Sequence, residues 1–340
     1  MSNGARAAYL DVFKTLLVWG MITAHVIQLV GVRVKPPELA NGFSDFINLV
    51  TFSGFLFAFG VGVGLSGRGC KSWPQRLRPA AMLLAASYIS AIAFVTLVER
   101  RPVTAGLLTD LLSLRVLYGW SEFLASFFML YLILAVARPL FVRIAEKAWV
   151  LAATIAVCLA ATLVTTSTNI PLTATIVANT NYANFPLLPY MPWFLLGIRL
   201  GLDRGAIRAW SVPIALVATG AFYWTSANTG AFPQRFPPSA LWVIGPAAFL
   251  LAYVFLSKAI ARVSVPGILL LPGRHVLMFL LWSNLIIFAT RNRLGQPIHQ
   301  LWLAALAAAG IVAAITVLAI AYEAWSKSRR GDEIAAGAAA

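Results

Sequence analysis

Charge is scarce in this chain, and acid is the scarcer sign: charged residues are 11% of 340 positions, with 11 Asp and Glu against 26 Lys and Arg. So little charge, together with 60% hydrophobic residues and a mean hydropathy of +0.83, excludes an ordinary soluble domain and implies an integral membrane protein. Only two cysteines are present, Cys70 in an expected inner loop and Cys158 inside an expected span, so no disulfide framework is implied. The three histidines have no cysteine or acid at ligand spacing, so no metal site is expected either. Long polar stretches are also lacking; the longest expected loops, 99–117 and 167–184, are roughly 20 residues each and leave no room for a soluble domain. The net charge of +15 is dispersed over loops, which argues against a nucleic-acid surface.

What the chain does have is apolar runs of about 17 to 25 residues, bounded by Pro, Gly or basic clusters, as membrane helices require and a β-barrel does not. The expected fold is all-α and polytopic, with about ten spans at 9–31, 45–66, 79–98, 118–137, 148–166, 185–201, 210–228, 240–258, 273–290 and 299–325. Placing the N-terminus inside puts roughly twice as many Lys and Arg in inner as in outer segments, so both termini are expected in the cytoplasm. The first run is too long and too charged for a cleaved signal peptide and is read as a mature helix. Residues 1–330 then form one transmembrane domain, and the Gly- and Ala-rich stretch 331–340 is an expected disordered tail. The loop 258–275 is apolar yet broken twice by Pro-Gly, which suggests an interfacial or re-entrant piece at the inner surface.

Three ionisable residues interrupt the first run: Asp11, Lys14 and His25. A charge at mid-membrane costs roughly 2.5–3.5 kcal/mol on insertion scales, so such residues are functional candidates by default. At about 100° per residue a gap of eleven returns to within about 20° of its start, so Lys14 and His25 share a helix face, with Asp11 on the same stripe. The rise between Lys14 and His25 is about 16 Å, half the hydrocarbon core. A neutral imidazole at that depth suits a general base; the alternative is a packed histidine donating to a neighbouring helix. Asp11 and Lys14 also suit an i,i+3 ion pair at the inner interface.

Other candidates follow along the chain. Ser53-Gly54 opens a run with Gly60, Gly62 and Gly64, dense enough in small residues for close helix packing or for ligand contact with backbone. Arg68, Lys71, Arg76 and Arg78 suit either phosphate binding or the positive-inside rule. Glu122, just inside the outer boundary, suits either support of a histidine or pairing with Arg115. Pro186, Pro189 and Pro192 interrupt the sixth span, a break that often lines a cavity, with Tyr190 and Trp193 as candidate substrate contacts. Asn284 needs a polar partner in an apolar helix, and Arg274 stands at the inner end of that helix. His275 and His299 lie at the membrane edges, where solvation is the expected state.

Taken in order, these pieces resemble the membrane-bound acyltransferase-3 family. Leu10-Asp11-Val-Phe-Lys14 with His25 eleven residues on resembles its first-helix signature, in which arginine is usual where Lys14 stands. Phe52-Ser53-Gly54-Phe-Leu, Arg76-Leu-Arg78, the segment Tyr118 to Tyr131, Phe185-Pro-Leu-Leu-Pro189 and Gly273-Arg274-His275 resemble later elements, the last closest to the branch that succinylates periplasmic glucans. The family's late-helix histidine is missing, with Ser283 and Asn284 in that neighbourhood. Related intramembrane N-acetyltransferases usually lack the first-helix histidine, which favours the O-acylating family.

The resemblance implies an inner-membrane enzyme that passes an acetyl or succinyl group from cytosolic acyl-coenzyme A to a hydroxyl of an extracytoplasmic glycan. It implies His25 as base or acyl carrier, with Asp11 and Glu122 as its catalytic companions. Lys14, Arg76, Arg78, Ser53 and Arg274 would hold the donor, and Tyr190, Trp193 and Asn284 the acceptor. Acyl-coenzyme A enters as a substrate, with no resident cofactor, and membrane lipid is the surrounding partner. A proton-coupled transporter or exporter, and a non-catalytic subunit of an envelope complex, are the competing classes.

Overall fold

The computed structural model describes residues 3–338 apart from 67–72, 169, 183 and 264; Arg68, Cys70 and Lys71, and the side chains of Arg6, Lys327, Arg329 and Arg330, lie outside the described set. The chain is helical almost throughout: α1 Asn3–Leu29, α2 Pro37–Leu65, α3 Trp73–Ala93 running into a π turn Phe94–Val98, α4 Ala105–Leu112, α5 Ser121–Glu146, α6 Ala148–Ala160 and α7 Pro171–Ala174. Then come α8 Leu187–Leu202, α9 Ser211–Thr229, α10 Ala240–Ile244, α11 Ala247–Ile260, α12 Leu271–Arg274, α13 Val276–Leu294 and α14 Leu301–Ala338. The all-α polytopic architecture is as expected, and each of the ten anticipated segments falls on a helix. Among the described residues, however, six helices are long and apolar enough to cross a membrane: α1, α2, α3 with its π turn, α5, α10–α11 and α14. A seventh is added if α12 and α13 count as one span bent by 82° at His275, while α6 and α8 are shorter. The count of ten is therefore not reached on those criteria. That bend, preceded by a 3-10 turn at Gly267–Leu270, is the break that the paired Pro-Gly steps in 258–275 anticipate.

Two features position the site. The first is α1, which touches α2, α11, α12, α13 and α14, so its polar stripe is turned into protein. The second is the seam between α2 and α8. A β-carbon at Gly60 would collide with the Phe194 carbonyl, one at Gly64 with that of Ile198, one at Gly197 with that of Phe57, and one at Gly201 with that of Val61. The small residues thus serve close backbone contact between helices, the packing alternative raised by the sequence. Two short strands not expected from the sequence, β1 Gly31–Lys35 and β2 Ile298–Gln300, pair in parallel and tie the C-terminal end of α1 to the start of α14.

Polar contacts also stitch helix ends together. Arg199 donates to the Ala145 and Glu146 carbonyls at 3.1 and 2.7 Å, Arg138 to the Ser66 carbonyl at 2.5 Å, and Lys258 to the Gly205 carbonyl. His275 is not solvated as expected: its Nε2 lies 2.9 Å from Glu323 Oε1, tying the start of α13 to the middle of α14 through residues 48 apart in sequence.

Candidate active site

His25 lies near the C-terminal end of α1 and lines a cavity of about 230 Å³. Its ring stacks flat on Trp120, with centroids 3.6 Å apart and an interplanar angle of 6°. Asn284 interacts with the imidazole from α13, and Nδ1 is buried with no hydrogen-bond partner. Asn284 is itself fully buried and donates through Nδ2 to Ser90 Oγ at 3.3 Å, while Ser90 donates to the Gly119 carbonyl at 3.3 Å.

The walls are built by local chemistry at several helix ends. Trp120 caps the start of α5 in the left-handed region, φ +63°, directly after Gly119 at φ +53°. That turn is closed by Ser121 N–H donating to the Tyr118 carbonyl at 3.0 Å, and it sets Glu122 in the first turn of α5 on the cavity wall. Phe185 stands just before α8, its carbonyl accepting from Ser126 Oγ at 2.7 Å. The proline-rich start of α8 is satisfied by the preceding loop, since Leu187 and Leu188 N–H donate to the carbonyls of Thr175 and Ile176 at 2.8 and 2.9 Å.

The cavity also receives Arg235, from the loop between α9 and α10. Its guanidinium lies over the rings of Phe236 and Phe185, 4.6 and 5.5 Å from their centroids. Burial pushes its pKa down, while Tyr190, Glu122 and Asp45 push it up; an arginine keeps its charge through such opposing effects. The signal that could have found it is a lone arginine set between Phe232-Pro-Gln and Phe236-Pro-Pro, on the membrane side where basic residues are disfavoured.

Above this cavity opens a second, wider one of about 1180 Å³, whose polar walls include Asn41, Ser44, Asp45 and Gln300, with Arg33 and Lys35 at its rim. Gln28 and Asn48 line both, so the two spaces adjoin.

The remaining candidates are scattered. Asp11 pairs with Lys14 at 2.9 Å and with Arg274 at 3.4 Å, so α1 and α12 assemble one cluster in the N-terminal half of α1. Close packing holds it: a β-carbon at Gly273 would strike the Asp11 carbonyl, and Gly273 N–H donates to Thr15 Oγ1 at 3.0 Å. Arg76 donates to the Ala135 carbonyl at 3.1 Å and lies 5.5 Å over the Trp73 ring, and Arg78 is exposed one half-turn on. Ser53 is fully buried with an unpartnered Oγ and is not among the cavity-lining residues. Tyr190 packs edge-on against Phe52 at 4.8 Å, behind the wall, and Trp193 Nε1 donates to the Val243 carbonyl at 2.7 Å, pinning α8 to α10.

Residues 6–205 match the protein family described as heparan-alpha-glucosaminide N-acetyltransferase, catalytic. The chain belongs to that family. No curated protein and no solved structure matches it. The match makes it a membrane acetyltransferase of this family, and replaces the acyltransferase-3 assignment. His25 lies inside the matched stretch, so a first-helix histidine does not separate the two families as expected. The short elements that carried the resemblance are permissive in apolar helices, where Gly, Phe, Leu and Pro recur for packing alone. The match includes His25, Trp120, Glu122 and Phe185; Arg235 and Asn284 come from beyond it.

Proposed function

We propose that this chain is an inner-membrane acyltransferase that passes a short acyl group from acyl-coenzyme A, met at the inner end, to a sugar held in the outer cavities. The observation that carries the reading is His25, with an unpartnered buried nitrogen, in a cavity that adjoins a larger polar one. The acceptor atom is taken as the amine of an amino sugar, because the family's description names a glucosaminide. A sugar hydroxyl, expected from the sequence, would need the same base.

In the direct route His25 takes the proton from the acceptor nitrogen as that nitrogen attacks the thioester carbon, and the thiolate of coenzyme A leaves. In the carrier route an imidazole nitrogen attacks the thioester carbon and coenzyme A leaves as its thiolate; the acceptor amine then attacks the acyl-imidazole carbon, and the imidazole leaves and takes up the amine's proton. Both routes need a neutral imidazole with one free nitrogen. Glu122 and Asn284 flank the histidine and hold its orientation and charge. Arg235, charged and resting on aromatic rings, meets the acceptor's polar groups.

The donor's phosphates suit the inner cluster, where Lys14 and Arg274 outnumber Asp11. Arg76 and Arg78 add positive field from the start of α3. Lys14→Ala is expected to raise the KM for acyl-coenzyme A about tenfold, as loss of one charged hydrogen bond implies, with the acceptor KM unchanged. Arg235→Ala is expected to do the reverse, raising the acceptor KM about tenfold. Steady-state kinetics with each substrate varied in turn checks both. The function itself is tested by incubating purified protein with labelled acetyl-coenzyme A and glucosamine-terminated or hydroxyl-only oligosaccharides. Label on the former supports the reading, and label on neither contradicts it.

A further inference from the structure

An imidazole on a helix has a broad, two-fold χ2 well, so a histidine with a free nitrogen in a cavity would not by itself hold one direction. Here the ring has a wall on its face. Trp120 lies parallel to it at 3.6 Å and 6°, and Phe288 stacks behind the indole at 5.7 Å and 27°. The indole is carried by an unusual backbone: a bulky residue at φ +63°, where glycine or asparagine is the ordinary choice. Gly119 before it must be glycine, since φ is +53° and a β-carbon would collide with the Phe94 ring. Strain of this kind persists only where the surroundings impose it, and it gathers at working sites.

Ser90 Oγ holds the Gly119 carbonyl and also accepts from Asn284, whose side chain interacts with the His25 ring. One serine on α3 therefore anchors both restraints on the imidazole, Trp120 at its face and Asn284 beside it.

We infer that Trp120 is a positioning residue for His25: its indole, fixed by the left-handed turn Gly119–Trp120, locks the plane of the imidazole at the cavity wall. The inference rests on His25 handling the acyl transfer. It requires the ring to matter for orientation and not for substrate binding. Misplacing a reacting group by about 1 Å can cost about 100-fold in rate, so truncating the clamp should appear in kcat.

The test compares wild type with Trp120→Ala, Trp120→Phe and His25→Ala, each purified and checked for monodispersity. Trp120→Ala should lower kcat about 10- to 100-fold with both KM values nearly unchanged, and Trp120→Phe, which keeps a flat ring, should restore most of it. A second readout needs no turnover: the rate at which diethyl pyrocarbonate modifies His25, followed by mass spectrometry of the peptide. That rate should rise several-fold in Trp120→Ala and stay near wild type in Trp120→Phe. Equal modification rates in wild type and Trp120→Ala, or a phenylalanine variant as impaired as alanine in both readouts, would overturn the clamp. If His25→Ala retains full transfer, the proposed function fails instead, and the modification rates still decide whether Trp120 holds the ring.

Discussion

His25→Ala is expected to lower acyl transfer about 10²- to 10⁴-fold, the range general base catalysis usually supplies, while acyl-coenzyme A still binds. The two outcomes separate because the donor's proposed cluster, Asp11, Lys14 and Arg274, lies about three helical turns from the histidine along α1. His25→Asn should fare no better than alanine, since an amide can hydrogen-bond but cannot accept the proton at neutral pH. Initial rates and equilibrium binding of acyl-coenzyme A, measured on the same preparation, check both halves. Loss of binding along with rate would mean that the variant has lost its fold or that His25 sits on the donor.

The second large effect concerns assembly. Gly197→Val is expected to destabilise the protein by at least about 3 kcal/mol, the upper end of overpacking penalties, because the obstacle is the Phe57 carbonyl on a facing helix. Backbone cannot swing aside as a side chain can, so α2 and α8 would have to part. Gly220 on α9 supplies the contrast: a β-carbon there meets nothing within 4 Å, and Gly220→Ala should be neutral or stabilising by about 0.5–1 kcal/mol. Thermal unfolding in detergent reads the difference. Matching transitions for Gly197→Val and wild type would show that the seam carries little stability.

The polar stripe of α1 was legible because a helix repeats on a fixed angle, and Asp11, Lys14 and His25 lie on one face whatever surrounds them. The glycine run of α2 was legible for a similar reason, although its partner Gly197-x-x-x-Gly201 lies more than a hundred residues on and only the fold pairs them. Arg235 was not legible as a site residue. Its loop has no period, and its arrival beside His25 depends on the order in which α8, α9 and α10 pack. Trp120 was hidden for another reason: the left-handed turn that lays it on the histidine is a backbone state that a Gly-Trp pair permits and does not announce. His275 and Glu323 show the same limit, since a pair 48 residues apart is chosen by tertiary packing. The family was legible only as far as a membrane acyltransferase, because short motifs in apolar helices draw on few residue types and their spacing discriminates weakly between families.

The most direct measurement reconstitutes the protein in sealed vesicles with one orientation, with labelled acetyl-coenzyme A on the side of Asp11 and Lys14 and a glucosamine-terminated oligosaccharide on the side of Gln28 and Asn48. The account predicts labelled oligosaccharide only on the acceptor side, with coenzyme A released on the donor side and no product from His25→Ala vesicles. Product formed only when donor and acceptor share one side, or formed equally by the His25→Ala protein, would contradict it.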